Sequence, residues 1–258
     1  MLPRLTVVTP SYNQGRFIGQ TIESILGQGY PDLEYIVMDG GSTDETVEIL
    51  ERYGDRITWR SERDRGQSDA LNKGMRLATG EVVAFLNSDD FYESGALLAV
   101  GEFFASTPGS QWVTGKCRTV DEGGREIRRG VTLYKNAWLR LGGYRALQVL
   151  NYVSQPATFW RRTLLERVGE FDESLDYAMD YDYWLRAGRD FELTVLDRYL
   201  ASFRVHGASK AGASANAQFE IDLAIARTHV RSRALLALHR LHNALAMAIY
   251  RVLLRRSS

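Results

Sequence analysis

The feature that most constrains the fold is the alternation of short apolar runs with helical patterns in the first part of the chain. Residues 5–9, 33–38 and 81–86 have strand character, and apolar residues recur at helical spacing between them. Strands separated by single helices are joined by right-handed crossovers, which produce a mostly parallel sheet. We therefore expect an α/β fold in which helices flank a mostly parallel sheet.

Each of these strand runs leads directly into a polar turn. The turns comprise residues 9–11, 39–41 and 87–89. Ligands of such sheets bind outside the carboxyl ends of the strands, where neighbouring parallel strands finish together. The topology therefore predicts that the three turns meet at one edge of the sheet and form a ligand site there.

The second half has longer and more mixed patterns. Strand-like runs at 157–160, 193–196 and 201–205 accompany helical patterns at 161–168 and 180–187. We expect this half to extend the same sheet, which divides residues 1–210 into halves at 1–110 and 111–210. Residues 211–258 are expected to form a connector, within the Ala-, Gly- and Ser-rich run 207–217, and a basic amphipathic helical tail.

Charge and cysteine content exclude several classes of protein. Lysine plus arginine and aspartate plus glutamate number 32 each, so the overall charge gives no indication of nucleic-acid binding. Cys117 is the only cysteine, which excludes an intrachain disulfide and a clustered-thiolate metal site. A reducing compartment fits, and the N-terminal residues lack the pattern of a secretory signal. We therefore expect a cytoplasmic protein.

The polar turns contain carboxylates suited to a nucleoside-diphosphate sugar. Asp89 or Asp90 could hold Mn²⁺ or Mg²⁺, which prefer one or two carboxylates together with substrate phosphates. Asp39 could accept a hydrogen bond from the imide N–H of uracil or thymine. Each aspartate is also a common turn or cap residue, so the residues alone leave both interpretations open.

Four ordered motifs, at residues 9–13, 37–44, 64–74 and 85–90, resemble family 2 of the inverting glycosyltransferases, which have the GT-A fold. The resemblance continues at 155–161, 171–175, 179–186 and 204–206, and covers about residues 4–210. It implies that the following residues contact the nucleotide sugar: Thr9, Pro10, Tyr12, Asp39, Gln67, Asp69, Lys73, Asn87 and Ser88. It further implies that Asp89 and His206 are metal ligands and that Asp180 is the catalytic base.

The sequence departs from the family pattern at two positions. Asn87 stands where the family has the first aspartate of its metal motif, and Met179 replaces the glutamate of the family's Glu-Asp pair, which lies at the start of a helix beside the acceptor. Asparagine brings no charge, so metal binding is expected to depend mainly on Asp89. Asp182 is the rival to Asp180, but two residues that are two apart on a helix do not share a face.

Some of the implied sites have simpler explanations that remain open. Lys73 is equally consistent with an exposed helix residue, Asp69 with a helix cap or a loop-ordering residue, and His206 with a packed side chain.

The function implied by the resemblance is transfer of a sugar, with inversion, from a nucleotide-diphosphate donor to a glycan or lipid-linked acceptor in cell-envelope or exopolysaccharide synthesis. UDP is the first expectation for the nucleotide, while TDP and GDP remain open. Two rival functions are a sugar-nucleotide nucleotidyltransferase, which usually has a glycine-rich phosphate loop after its first strand, and a non-catalytic protein that binds nucleotide sugars.

The C-terminal tail is the most strongly charged part of the chain. No acidic residue follows Asp222, whereas seven arginines do: Arg227, Arg231, Arg233, Arg240, Arg251, Arg255 and Arg256. His239, Arg240 and His242 interrupt the apolar pattern too often for a transmembrane span. We expect an amphipathic helix that lies on the inner face of a membrane, packs on the domain, or binds a partner chain.

Overall fold

A computed structural model describes residues 1–207 and 215–255. Most of the predicted connector, including the boundary at 210/211, lies outside these residues. The strands are β1 (Leu5–Ser11), β2 (Leu33–Asp39), β3 (Thr58–Ser61), β4 (Val82–Phe85), β5 (Phe91–Tyr92), β6 (Trp112–Val120), β7 (Thr158–Arg161) and β8 (Leu193–Arg204). The helices are α1 (Gly15–Leu26), α2 (Thr46–Glu51), α3 (Gln67–Leu77), α4 (Ala96–Ser106), α5 (Arg129–Leu141), α6 (Tyr144–Leu147), α7 (Arg162–Val168), α8 (Met179–Asp190), α9 (Ala215–His229) and α10 (Arg233–Arg255).

The described strands form one sheet with the order β3-β2-β1-β4-β7-β6-β8-β5. The pairs β1/β2, β1/β4, β2/β3 and β6/β8 are parallel, while β4/β7, β6/β7 and β5/β8 are antiparallel. The prediction of a mostly parallel sheet that continues into the second half is therefore confirmed.

One difference from the sequence interpretation concerns β8. Residues 193–196 and 201–205 were expected to form two strands, but β8 is continuous from Leu193 to Arg204. The intervening residues stay in the sheet because the register with β6 shifts at Gly115, Lys116 and Cys117, where Lys116 pairs with Tyr199. A bulge of this kind absorbs extra residues without ending the strand.

Apolar side chains fill both faces of the sheet. One core layer contains Val8 of β1 with Leu71 of α3 and Trp184 of α8. The other contains Val7 of β1 with Ile22 of α1. Successive strand residues point to opposite faces, which explains why consecutive valines belong to different layers.

Helix α3 lies unusually close to the sheet because Gly74 has no side chain. A Cβ atom at Gly74 would lie 2.4 Å from Cγ1 of Val8 and 3.1 Å from Cγ of Met38. The close approach fixes the position of α3, and with it the polar residues at the N-terminal end of that helix.

The two C-terminal helices pack on the domain. Helix α9 contacts α8, and α10 contacts α9. Within the described part of the chain, no helix combines the length and apolar character needed to cross a membrane.

Candidate functional site

The carboxyl ends of β1, β2, β3 and β4 lie at the same edge of the sheet. Ser11 is the register partner of Asp39, and Asp39 is that of Ser61. The Gly40 N–H donates to the Ser11 carbonyl at 2.8 Å, and the Leu86 N–H donates to the Val8 carbonyl at 3.0 Å. The three polar turns identified in the sequence therefore meet as predicted.

Asp39 is buried and orders the turn that follows it. Its Oδ2 accepts hydrogen bonds from the N–H groups of Gly41 (3.1 Å) and Ser42 (2.9 Å) and from the Ser61 hydroxyl (2.6 Å). Among the described residues, its Oδ1 accepts only from the Ser42 hydroxyl, at 2.5 Å. A carboxylate oxygen has two lone pairs, so Oδ1 retains capacity for one further donor.

The β1 turn has one buried and one exposed part. Thr9 is fully buried, and its Oγ1 lies 3.1 Å from the Tyr35 hydroxyl. Pro10 is buried as well. The Ser11 hydroxyl is buried and has no hydrogen-bond partner among the described residues. Tyr12, by contrast, is exposed at the rim, with its ring available for stacking.

The loop before α3 is held by Asp69. Its Oδ2 accepts from the Arg65 N–H at 3.0 Å and its Oδ1 from the Arg65 guanidinium at 3.1 Å. Burial alone would raise the pKa of Asp69, but these bonds and the Lys73 ammonium outweigh it and keep the pKa below its ordinary value. Asp69 thus holds the loop in place, and its contact with a nucleotide sugar stays a prediction. Lys73 also lies 3.1 Å from Glu62.

Asp64 is a site residue that the sequence interpretation did not single out. Its Oδ1 accepts from the Gly66 N–H at 2.8 Å, and its Oδ2 would lie 2.6 Å from a Cβ atom at Gly40. Burial raises the pKa of Asp64, and the nearby charges of Asp69 and Asp39 act in the same direction. Its position just after β3 places it at the same strand-end edge, which is the signal that could have identified it.

A chain of side-chain amides orients Asn87. Gln67 Nε2 donates to Asn87 Oδ1 at 2.7 Å, and Asn87 Nδ2 donates to Gln155 Oε1 at 3.4 Å. Gln155 is itself fixed, because its Nε2 donates to the Phe85 carbonyl at 2.6 Å. Gln67 and Gln155 thus offer one donor and one acceptor to Asn87, which suits an amide better than a carboxylate.

Asp89 and His206 are the predicted metal ligands that the structure brings together. His206 Nε2 lies 2.9 Å from Asp89 Oδ2, and the imidazole packs against Phe17 at 4.7 Å between ring centroids. The preceding residue, Ser88, is buried, and its carbonyl accepts from the Thr21 hydroxyl at 2.9 Å. No cluster of three or more acidic, histidine or cysteine ligands occurs among the described residues. Two protein ligands nevertheless fit Mn²⁺ or Mg²⁺, because these ions take their remaining ligands from phosphate and water.

Asp90 has a different environment from Asp89. It is fully buried, and its Oδ1 accepts from the Arg204 N–H at 2.8 Å. Burial raises the pKa of Asp90 well above its ordinary value, and the charge of Asp89 adds to the effect. This carboxylate lies beneath the rim, so Asp89 is the one placed to reach a ligand.

A cleft of about 370 Å³ runs from this edge towards the second half of the chain. Gln67 and Asn87 line one end, and Asp180 at the start of α8 lines the other. Ala178, the residue before α8, has a left-handed backbone with φ 53° and ψ 27°. That conformation turns the chain sharply into the helix and brings Asp180 to the cleft wall.

Among the charged side chains that line the cleft, Lys135 and Asp222 interact electrostatically with Asp180. Lys135 comes from α5 and Asp222 from α9. Burial raises the pKa of Asp180, and the Lys135 ammonium opposes the increase. Burial also raises the pKa of Asp222, to about 7, in spite of a hydrogen bond from Gln218 and with a contribution from Asp180. The pKa of Lys135 is lowered by burial.

Asp182 is committed to a structural contact. It is buried, with Oδ2 2.9 Å from Arg186 Nε and Oδ1 2.6 Å from His229 Nε2. Burial alone would raise the pKa of Asp182, but His229 and Arg186 outweigh burial and hold it below its ordinary value. Of the two candidate bases, Asp180 is the one that reaches the cleft.

Lys135, Gln155 and Asp222 could not be identified as site residues by a local motif. Lys135 and Asp222 lie on helices far from Asp180 in the sequence, and only the packing of α5 and α9 brings them to the cleft. Gln155 begins a motif of the family resemblance, but its contact with Asn87 depends on the antiparallel pairing of β4 with β7.

Comparison with known proteins identifies the family. Residues 6–169 match the sequence profile described as Glycosyl transferase family 2. The PGL/p-HBAD biosynthesis glycosyltransferase of Mycobacterium bovis is 29% identical over 192 residues, which cover 71% of this chain and 69% of that protein.

Two solved structures have a similar fold. The mannosyltransferase PcManGT of Pyrobaculum calidifontis, in complex with GDP-Man and Mn²⁺, superimposes with a TM-score of 0.70 at 22% identity. The superposition covers 96% of this chain and 73% of the PcManGT chain. TarS 1-349 of S. aureus, in complex with UDP, gives a TM-score of 0.65 at 21% identity and covers 88% of this chain, while this chain spans 65% of that one. These likenesses show a shared GT-A fold. Because the family profile matches more than half of the chain, the chain belongs to glycosyl transferase family 2.

Proposed function

We propose that this chain transfers a sugar, with inversion, from a nucleoside-diphosphate donor to a hydroxyl group of a glycan or a lipid-linked acceptor. One observation carries the proposal. A single cleft is lined by Asn87, two residues before the Asp89/His206 pair, and by Asp180, the carboxylate best suited to act as a base. Donor and acceptor chemistry can therefore meet in the same space.

The strand-end edge would hold the nucleoside. Oδ1 of Asp39 can accept one more hydrogen bond, as an imide N–H of uracil or thymine would require, and the exposed ring of Tyr12 can stack on the base. The buried Ser11 hydroxyl offers a further polar contact. Lys73 would contribute positive charge towards the phosphates, and Asp69 would keep the intervening loop in place.

Asp89 and His206 would hold a divalent cation together with the diphosphate. When bound, the cation would neutralise the negative charge that develops on the leaving nucleoside diphosphate. Asn87 and Ser88 would orient the phosphates or their water ligands through neutral hydrogen bonds. The amide chain from Gln155 keeps Asn87 in one orientation for this purpose.

Asp180 would act as the base. Its carboxylate removes the proton of the acceptor hydroxyl while the hydroxyl oxygen forms a bond to the anomeric carbon. The bond from that carbon to the diphosphate oxygen breaks on the opposite face, so the configuration is inverted and the diphosphate leaves with the electron pair. A pKa raised towards the working pH strengthens a carboxylate as a base, and burial raises the pKa of Asp180.

The relatives support a nucleotide-sugar donor and a role in glycan synthesis. The solved structures were determined with UDP and with GDP-Man and Mn²⁺, and the mycobacterial relative is named for the biosynthesis of PGL and p-HBAD. UDP remains our first choice for the donor nucleotide, and a cell-envelope or exopolysaccharide product is the expected class.

The first test measures nucleotide and metal binding. We expect UDP with Mn²⁺ to raise the melting temperature, because a ligand present at about 100 times its Kd stabilises the folded state by about 2.7 kcal/mol. TDP and GDP are compared in parallel. Asp89→Ala should abolish the part of the shift that depends on Mn²⁺. No shift with any nucleoside diphosphate would contradict the proposal.

The second test separates binding from chemistry. Asp180→Asn should lower the rate of sugar transfer, or of the slow hydrolysis of the donor, by about 10²–10⁴-fold, since general bases contribute rate accelerations of this size. The thermal shift with donor should remain unchanged. Asp190→Asn, at the exposed far end of α8, is the matched control and should retain full activity. Equal rates for Asp180→Asn and the wild type would show that Asp180 is not the base. Release of pyrophosphate from a nucleoside triphosphate and a sugar phosphate would instead indicate a nucleotidyltransferase.

A further inference from the structure

Large exposed apolar side chains are concentrated on two helices. On α5 they are Leu133, Tyr134 and Leu141, and on α10 they are Leu238, Leu241 and Leu245. Their exposed fractions range from 43% to 81%. We call these six residues the apolar strip. Isolated exposed leucines are common on protein surfaces, but a contiguous group of them marks a binding surface.

Contacts between α5 and α10 join the two parts of the strip. The Tyr134 ring stacks on the His242 imidazole, with 6.1 Å between centroids and 8° between planes. His239 anchors the same helix, with its Nδ1 3.2 Å from the Gln148 carbonyl. The exposed leucines of α5 and α10 therefore belong to one surface.

The orientation of α10 is fixed by its inner face. His239 and Asn243 are buried, and Asn243 Nδ2 donates to the Phe219 carbonyl at 2.8 Å. Leu238, Leu241 and Leu245 follow one another at helical spacing on the other side. The leucines are thus held outward by polar contacts beneath them and have no apolar cover within the described part of the chain.

The charge around the strip is positive. Arg233 and Arg240 are exposed on α10, lie seven residues apart on one flank of the helix, about a quarter turn from Leu241, and form no ion pair with a described residue. No acidic residue follows Asp222 in the sequence to neutralise them. An apolar stripe bordered by unpaired arginines complements a surface that is apolar inside and anionic outside.

We propose that the apolar strip and its flanking arginines bind the surface of a bilayer that contains anionic lipids. The leucines enter the boundary between headgroups and acyl chains, and the arginines contact lipid phosphates. Helix α10 lies along the surface, with the face that carries His239 and Asn243 on the protein.

This orientation has a consequence for the cleft. Thr132 and Lys135, on the side of α5 away from Leu133, line the cleft that contains Asp180. A bilayer against the strip is therefore one helix away from the cleft. This arrangement would suit a lipid-linked acceptor, an inference that rests on the proposed function. The proposal of membrane binding does not depend on that function.

The test is co-sedimentation of the full chain with lipid vesicles. We expect the protein to bind vesicles that contain phosphatidylglycerol and phosphatidylcholine at least about tenfold more tightly than vesicles of phosphatidylcholine alone. The ratio of the two affinities should fall with added salt. Leu241→Glu on α10 and Leu133→Glu on α5 should each lower the affinity by at least about tenfold, because each replaces an inserted apolar group by an anion. Arg240→Gln should lower it by about fivefold.

Leu98→Glu provides the matched control. Leu98 is also exposed, but it lies on α4, which packs on the opposite face of the sheet from α5 and α10, so its replacement should leave vesicle binding unchanged. Melting temperatures of all variants check folding, and Leu245→Gln replaces any variant that is unfolded. Light scattering determines the oligomeric state without lipid.

Three results would overturn the proposal. The first is the absence of binding to anionic vesicles, and the second is an equal loss of vesicle affinity for Leu98→Glu and Leu241→Glu. The third is a wild-type dimer that Leu241→Glu converts to a monomer, which would assign the strip to a second copy of the chain. Nucleotide binding is measured separately, so a failure of vesicle binding is distinguishable from a failure of the proposed function.

Discussion

Asp180 and Asp222 are two carboxylates that share one nearby cation, Lys135. Burial raises the pKa of both, and that of Asp222 reaches about 7. Near neutral pH, Asp222 therefore gives up much of its charge, whereas the Lys135 ammonium opposes the rise in the pKa of Asp180. Two carboxylates with different environments can divide the roles of proton holder and base in this way.

The raised pKa of Asp222 predicts a pH dependence of stability. The unfolded carboxyl titrates at its ordinary pKa of 3.8 and the folded one at about 7, so the folded state binds more protons between these values. The free energy of unfolding must then fall as pH rises through this window, by up to about 1.4 kcal/mol per pH unit, and level off above about pH 7. Asp222→Asn removes this titration.

The measurement is the melting temperature from pH 4 to pH 8. We expect Asp222→Asn to gain stability over the wild type progressively up to about pH 7, with little further gain above it. Glu220→Gln, an exposed neighbour on α9, should follow the wild-type curve. A constant offset between Asp222→Asn and the wild type across the pH range would show that Asp222 does not titrate in this window.

At the scale of single elements, the turn into α8 stores backbone strain. Ala178 has φ 53°, and the other two non-glycine residues with positive φ among those described are Asn13 and Arg128. Ala178 and Arg128 line the cleft, and Asn13 lies in the loop after β1 at the strand-end edge. Left-handed backbone costs most L-residues about 1–2 kcal/mol, less for asparagine, and residues in this conformation cluster at functional sites.

Ala178→Gly should therefore stabilise the protein. Glycine adopts the left-handed conformation without strain, and after the loss from its greater freedom in the unfolded chain we expect a net gain of about 0.5–1 kcal/mol. Ala137→Gly, at an exposed position inside α5, is the control and should destabilise by about 1 kcal/mol. Urea unfolding measures both. A loss of stability for Ala178→Gly would mean that the turn is not strained.

At the scale of the whole molecule, local patterns predicted the parallel part of the sheet and the edge where its strands end. They predicted less about the second half. Residues 91–92 form β5 at the far edge beside β8, and no periodicity in two residues could reveal that pairing. The positions of Lys135 and Asp222 likewise depend on how distant helices pack, so the strand-end edge of the candidate site was easier to predict from the sequence than the surroundings of Asp180.

The strand order also predicts how the chain unfolds. Strands of the second half, β7, β6 and β8, lie between β4 and β5 of the first half, so neither half can leave the sheet without breaking pairs of the other. The division at residue 110 should therefore not be a boundary between units that unfold separately. We expect one cooperative transition, with far-ultraviolet circular dichroism and tryptophan fluorescence changing together.

Two core variants, one in each half, test this directly. Ile22→Ala in α1 removes a fully buried side chain from the first half, and Leu185→Ala in α8 removes a buried one from the second. Each should destabilise by about 2–5 kcal/mol and shift the whole transition, as measured by both signals, to lower urea. Two separate transitions, each displaced by only one of the variants, would mean that the halves are independent in spite of their common sheet. Movement of both signals in both variants is expected because β5 ties the first half to the outer edge of the second.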